Sequence, residues 1–506
     1  MPEPTSSSVP ALLREAVGLH QRGQLDAARA LYERVLELAP RQFDALHLSG
    51  VIAKQQGQPE QALRLISNAI ESDPSHAGAR CNLGAALQDL GRVEEALASY
   101  ELAVQFDPNY ALAFCNRGNA LRKLGRPQDA LASYERALAI RSNYPEAWCN
   151  LALLQQELGR SGEALQSAEN ALSLRATYFD AWCARGGALL GLDRVEEAVD
   201  SYERALAIDA NSALAHCSHG TALKRLGRLE AALHSYERAI VLKPDYANAH
   251  HYRANTLRSL GRNEEAIEAY RQALAAGADA QQVSFALAAL GVGDVPEASP
   301  AGYVRELFDQ YAGHFDEHLV ERLGYRTPAL LDAAIRKVAG LRDADVLDLG
   351  CGTGLMGPYL RPLARILTGV DLSEKMLDKA RGRRLYDELE CREIGEYLAT
   401  QAARFQLVAA ADVLVYFGDL APLFGQVRQA LVPGGWFCFS VEASMDADFA
   451  LRASNRYAHS LSYLHRLAGA AGFAVQAEET ATLRTENGAP VAGYMLVLRA
   501  LAPIPE

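Results

Sequence analysis

Residues 345–357 read DVLDLGCGTGLMG, an apolar run followed by glycines at 350, 352, 354 and 357. A short apolar run predicts a buried strand. Glycines directly after it let the chain turn tightly and let a ligand approach the backbone. Strand, glycine turn and helix in that order open a nucleotide-type α/β domain. The glycines alone leave the ligand open. Starting at Gly350 and Gly352, the dinucleotide spacing needs a third glycine where Leu355 stands. Starting at Gly352 and Gly354, Gly357 completes it.

The acidic residues narrow the choice. Asp348 lies two residues before Gly350. A carboxylate there repels a pyrophosphate and favours a cationic cofactor with a free amino group. Asp371 ends the next apolar run, TGVDLS, 23 residues later. A carboxylate at that place accepts from both hydroxyls of a ribose. S-adenosylmethionine has a sulfonium, an amino group, a ribose and an adenine, and no phosphate. The helix after the turn presents its N-terminus to the methionine carboxylate.

Further apolar runs follow: LECREI, FQLVAAADVLV, GWFCFSVE, FAVQAEETATL and GYMLVLRAL. Alternation with helical stretches predicts a parallel sheet with helical crossovers, and the last two runs are close enough to pair as a hairpin. Ahead of the domain, Val304, Leu307, Phe308, Tyr311, Phe315 and Leu319 recur at helical spacing. A second helix is predicted from Pro328 to about Val338.

The first half of the chain is periodic. Ala28, Ala62, Ala96, Ala130, Ala164, Ala198, Ala232 and Ala266 are each 34 residues apart. Glycines (23, 57, 91, 125, 159, 227, 261) and tyrosines (32, 100, 134, 202, 236, 270) keep the same period. Each copy predicts two amphipathic helices that bury their apolar faces only by stacking on neighbours. This resembles the tetratricopeptide repeat, with eight copies over residues 9–280. The resemblance implies a concave groove for a protein or peptide, lined by Asn82, Asn116, Asn119, Asn150 and Asn255. Such amides suit an extended backbone, as in the asparagine ladder of the O-GlcNAc transferase repeats, or simply bind water. Cys81, Cys115, Cys149, Cys183 and Cys217 recur once per copy, too far apart for disulfides. They are expected as small, semi-apolar groove residues.

VLDLGCGTG followed by GVDLSEKMLDKAR resembles the Rossmann-like S-adenosylmethionine-dependent methyltransferases, from about Tyr303 to Leu501. The resemblance implies a seven-stranded, mostly parallel sheet in the order 3-2-1-4-5-7-6. It also implies cofactor contacts from Asp348, Gly350, Cys351, Gly352 and Gly354, from Asp371, Leu372 and Met376, and from Glu393 and Ile394, although CREIGEY also offers Glu396. Asp412 is implied to face cofactor and substrate. Tyr311 and Phe315 are implied as an aromatic lid, and Arg326 as a partner of the methionine carboxylate. The whole chain then resembles methyltransferases that carry tetratricopeptide repeats. The expected division is repeats 9–280, linker 281–300 and methyltransferase domain 301–506.

Methyl transfer is a displacement that needs a base only when the acceptor must lose a proton. Asp412, Tyr416, Tyr457 and His459 are the candidates near strand ends, and Cys351 is expected to pack in the turn. No metal is implied. The net charge of −12 is shared by both halves without a basic block, so no nucleic-acid partner is expected. Strand four lacks an Asn/Asp-Pro-Pro-aromatic signature, and no Pro-Cys pair occurs. No signal peptide or membrane span is read, which predicts a cytoplasmic protein. Three functions stay open: methylation of a protein recruited by the repeats, methylation of a small molecule, lipid or glycan, and a scaffold whose methyltransferase fold is degenerate.

Overall fold

The computed structural model describes residues 8–312, 315–316, 324–338, 340–445, 447–486 and 489–502. Leu319, expected on the amphipathic helix, lies outside them. The chain divides into two compact units, Met1–Lys243 and Pro244–Glu506. No helix among the described residues is long and apolar enough to cross a membrane.

Among the described residues the first unit holds seven helix pairs, from Val9–Gln21 with Leu25–Leu38 to Ala213–Arg225 with Leu229–Leu242. The glycine column that closes the first helix of a pair has a left-handed backbone, with φ of 68–75° from Gly23 to Gly227. The sixth copy puts Asp193 there at φ 59°. A second glycine column is fixed by packing. A Cβ on Gly84, Gly118, Gly186 or Gly220 would stand 2.6–2.8 Å from the ring of Tyr100, Tyr134, Tyr202 or Tyr236. In the fifth copy both partners are alanine, Ala152 and Ala168, and they share one cluster.

The asparagines of this unit are turned partly inward. Asn82 Nδ2 meets His47 Nε2 at 2.9 Å, and Asn150 Nδ2 donates to Asn119 Oδ1 at 3.0 Å. Asn116 and Asn150 also donate to the sulfurs of Cys81 and Cys115. Four of the five column cysteines are buried and Cys183 is half-buried; all are free thiols. The cysteine column thus packs between helices and does not line a groove.

The second unit starts with the eighth pair, Ala247–Ser259 and Asn263–Ala275, and a helix at Ala280–Ala288. Asn255 accepts from the Tyr270 hydroxyl within that pair. Residues 296–299 then run along the segment after strand four. Gly418 N–H donates to Glu297 O at 2.7 Å, and Ser299 N–H to Tyr416 O at 2.8 Å. The helices Ala301–Tyr311 and Thr327–Val338 follow.

Among the described residues nine strands form the sheet: β1 Ala344–Leu349, β2 Ala364–Asp371, β3 Glu388–Cys391, β4 Phe405–Ala410, β5 Leu431–Ala443, β6 Phe449–Leu451, β7 Tyr457–His459, β8 Phe473–Glu486 and β9 Ala489–Ala500. The main order is β3-β2-β1-β4-β5-β9-β8, parallel as far as β5, with β9 antiparallel to both neighbours. This is the order implied by the resemblance, 3-2-1-4-5-7-6, with β8 and β9 as the sixth and seventh strands. The short β6–β7 hairpin is additional, with β7 pairing parallel to the end of β5. Alternate residues serve opposite faces. Leu347, Leu349 and Val408 join a core with Phe424, Phe437 and Phe439. Val346, Leu407 and Ala409 join another with Leu331 and Ile335. Apolar cover on both faces explains the near-continuous apolar runs.

Candidate active site

The C-terminal ends of β1, β2 and β4 open into one cavity, at the strand ends where open α/β sheets take their ligands. The turn after β1 forms its floor. Gly350, Gly352 and Gly354 have φ of 62°, 55° and 83°, the left-handed region that only glycine enters without strain. A Cβ on Gly350 would also stand 2.5 Å from Val413.

Two buried carboxylates flank the turn. Asp348 is 1% exposed, and Tyr386 donates its hydroxyl proton to Asp348 Oδ2 at 2.6 Å. Burial pushes the Asp348 carboxyl up to about 7; the Tyr386 hydrogen bond lowers it and the charge of Asp371 raises it. Asp371 is 7% exposed and accepts from Gly352 N–H and Ser373 N–H, both at 2.9 Å. Burial raises its pKa too, against those backbone bonds. Leu372, Glu393 and Ile394 complete this side of the lining.

The helix Ala301–Tyr311 and residues after it supply another wall. Val304, Phe308 and Phe315 line the cavity with Tyr416 and Phe417. Asp309 accepts from Ser373 Oγ at 2.5 Å, and Asp316 from Thr353 and Arg383. These polar contacts tie the segment to the ends of β1 and β2.

Asp412 follows β4 with a left-handed φ of 60°, which ends the strand earlier than its apolar run suggests. It lines the cavity, but each oxygen faces a guanidinium: Oδ2 to Arg456 Nη1 at 3.2 Å and Oδ1 to Arg484 Nη1 at 3.3 Å. Glu442 bonds the same two arginines, and Glu486 bonds Arg484. Both Asp412 oxygens are thus engaged by guanidinium groups, and this geometry argues against Asp412 as a general base. Arg456, which sequence reasoning passed over, lines the cavity and lies over the Tyr416 ring at 5.7 Å.

Tyr457 and His459 fall outside the cavity lining. The Tyr457 hydroxyl donates to Pro296 O at 2.7 Å, and His459 Nε2 meets Gly418 O at 3.0 Å. Side chains alternate along extended chain, so these two residues share a face and their neighbour Arg456 takes the other. Burial lowers the His459 imidazole to about 4. Its neutral form stabilises the fold fully above the unfolded value of 6.5, and that contribution is lost as pH falls from 6.5 to about 4. In urea unfolding, the stability difference between wild type and His459→Gln should shift by up to ~3 kcal/mol over that window. A difference between the two that does not change with pH would contradict this.

Other expected contacts are also displaced. Tyr311 is 38% exposed and does not line the cavity. Arg326 is likewise absent from the lining, and its backbone N–H bonds Leu483 O. Met376 is buried, with its N–H on Ser373 Oγ in the first turn of the helix Glu374–Arg383. Cys351 packs in the lining with its thiol pKa pushed well up by burial.

Comparison with known proteins agrees with this architecture. Residues 346–435 match the family described as methyltransferase domain. Tetratricopeptide-repeat families match residues 47–111, 149–213 and 217–281, with further matches at 9–34, 99–132 and 118–159. The chain is similar to the ubiquinone biosynthesis O-methyltransferase of Coxiella burnetii, 33% identical over 104 residues, covering 20% of this chain and 44% of that protein. The protein of the same name from Bordetella avium is 31% identical over 157 residues, covering 28% and 65%. That from Nitrosomonas europaea is 28% identical over 169 residues, covering 30% and 72%. The chain thus spans less than half the length of the first of these relatives. Among solved structures, MamA aligns with 31% of this chain and 93% of its own at 24% identity and TM-score 0.30. A thermophilic tetratricopeptide-repeat protein of Thermus thermophilus aligns with 36% and 100% at 29% identity and TM-score 0.32. The chain thus combines tetratricopeptide repeats with a methyltransferase domain of Rossmann-like fold.

Proposed function

We propose that the protein is an S-adenosylmethionine-dependent methyltransferase whose repeats hold a protein or peptide partner. The observation that carries this reading is the pair of buried carboxylates, Asp348 and Asp371, flanking a left-handed glycine turn. The donor set suits a cationic, ribose-bearing cofactor. Asp371 accepts from ribose hydroxyls while its backbone bonds hold it in place. Ionised Asp348 attracts the cofactor's positive charge. Glu393 accepts from the adenine amine, and Leu372 and Ile394 pack on the ring. The glycines keep the floor open where a Cβ would fill it. When bound, S-adenosylmethionine supplies a methyl carbon activated by its sulfonium.

This chain's own contribution is alignment and exclusion of water. Phe308, Phe315, Tyr416 and Phe417 give the cavity an apolar wall. That wall suits an acceptor with an apolar or aromatic body. The relatives named as O-methyltransferases favour an oxygen nucleophile. Labelling a cell extract with tritiated-methyl S-adenosylmethionine tests the reading. Label should appear only with the enzyme, in the organic-soluble fraction if the acceptor is small and in precipitable protein if the repeats recruit it. No enzyme-dependent label in either fraction would refute catalysis.

A further inference from the structure

Lys54, Arg122 and Arg258 occupy the same place, the twelfth, in copies two, four and eight. In the first unit, Lys54 pairs with Asp89 at 3.2 Å and Arg122 with Glu157 at 2.5 Å. Each thus reaches the thirteenth place of the next copy. The eighth copy has no such neighbour, because the 34-residue period ends with it and the helix Ala280–Ala288 is short. Arg258 Nη1 instead donates to Asn455 Oδ1 at 2.7 Å. An amide from the β6–β7 turn thus takes the basic side chain whose counterparts in copies two and four pair with an acidic side chain of the next repeat.

Asn455 is an unusual residue. It is 2% exposed and holds a left-handed φ of 62° in the turn between β6 and β7. A non-glycine residue in that region is strained and persists where its surroundings hold it. Here three contacts do so. Its Oδ1 accepts from Arg258, its Nδ2 donates to the Tyr303 hydroxyl at 3.1 Å, and its N–H bonds Arg452 O at 2.9 Å. Tyr303 lies on the helix that gives Val304 and Phe308 to the cavity wall. The next residue, Arg456, reaches into the cavity and pairs with Asp412 and Glu442. Phe285, on the helix after the eighth repeat, packs against Tyr303 at 5.3 Å and Tyr457 at 6.3 Å, bracketing the same turn. One buried amide therefore joins the last repeat, the wall helix and the hairpin that aims Arg456.

We propose that Arg258 is a positioning residue of the methyl-transfer site. Through Asn455 it holds the β6–β7 hairpin so that Arg456 stays in the cavity wall formed with Asp412, Tyr416, Val304 and Phe308. The eighth repeat is then a working part of the enzyme and not only the end of a recruitment arm. This rests on the reading of the cavity as a methyl-transfer site. The cofactor carboxylates Asp348 and Asp371 lie on other strands, so removing Arg258 should spare cofactor affinity and impair transfer.

Full-length Arg258→Ala and Arg258→Lys test this, with Arg258→Met, which keeps the aliphatic stem, where alanine fails to fold. Three readouts are compared with wild type: S-adenosylmethionine affinity by calorimetry, tritiated-methyl transfer in cell extract, and hydrogen exchange of residues 412–417 and 449–459. Arg258→Ala should bind the cofactor within about twofold of wild type and transfer label at least about tenfold more slowly, as small misplacements at reacting groups do. Exchange should quicken in both segments, and Arg258→Lys should recover most of the transfer. Wild-type transfer by Arg258→Ala, or faster exchange confined to the repeat, would overturn the proposal. So would loss of cofactor affinity together with a lowered melting temperature, which would mark Arg258 as a folding residue. Wild-type protein that binds no S-adenosylmethionine would instead refute the functional reading, and the exchange data would still decide the link from Arg258 to residues 412–417.

Discussion

Asp371→Ala should weaken S-adenosylmethionine binding by ~10²–10⁴-fold, because hydrogen bonds to a charged acceptor contribute ~1.5–3 kcal/mol each and the ribose offers two. The side chain also anchors the turn through Gly352 N–H and Ser373 N–H. Asp371→Asn keeps one acceptor oxygen and should fall between wild type and alanine. Calorimetry gives the affinities, and circular dichroism shows whether the fold survives. Near-normal affinity in Asp371→Ala would remove this residue from the cofactor site.

Arg484→Met should have the largest effect on stability. Arg484 is 1% exposed and bonds Asp412, Glu442 and Glu486. Removing it leaves three carboxylates facing only Arg456, and breaking a buried ion pair by deleting one partner costs ~3–5 kcal/mol. Arg484→Lys should recover little, because an ammonium lacks the planar fork that serves several carboxylates at once. Urea unfolding of the two variants measures both. A loss below ~1 kcal/mol for Arg484→Met would show that the cluster is solvated in solution.

The parts of the fold that depend on period were legible from the sequence. The 34-residue spacing places the helix pairs, and the left-handed φ values from Gly23 to Gly227 explain the glycine column. The main strands were equally legible, because parallel strands buried on both faces read as long apolar runs, whereas their order came only with the family resemblance. Other features left weaker signals. β6 and β7 have three residues each, too few for alternation to register. Arg484 lies in β8, where a charged residue reads as solvent-facing, and only the carboxylates brought from β4 and β5 make its burial tolerable. Tyr457 and His459 attracted notice by residue type, whereas alternation put their neighbour Arg456 in the cavity. The asparagine column was visible, but its bonds to His47, Cys81, Cys115 and Asn119 arise only once copies are stacked.

The central claim is that the cavity above Asp348 and Asp371 takes a cationic cofactor. In the free protein the Asp348 carboxyl is raised to about 7. Its folded value exceeds the unfolded one, so stability from the bound proton declines as pH rises towards 7. A cation favours the ionised form, so cofactor affinity should rise over the same range, approaching tenfold per unit well below 7. Calorimetric titration of the full-length protein with S-adenosylmethionine at about pH 6 and about pH 8 tests this directly. One-to-one binding that is tighter at the higher pH is the predicted result. No binding at millimolar cofactor at either pH would contradict it.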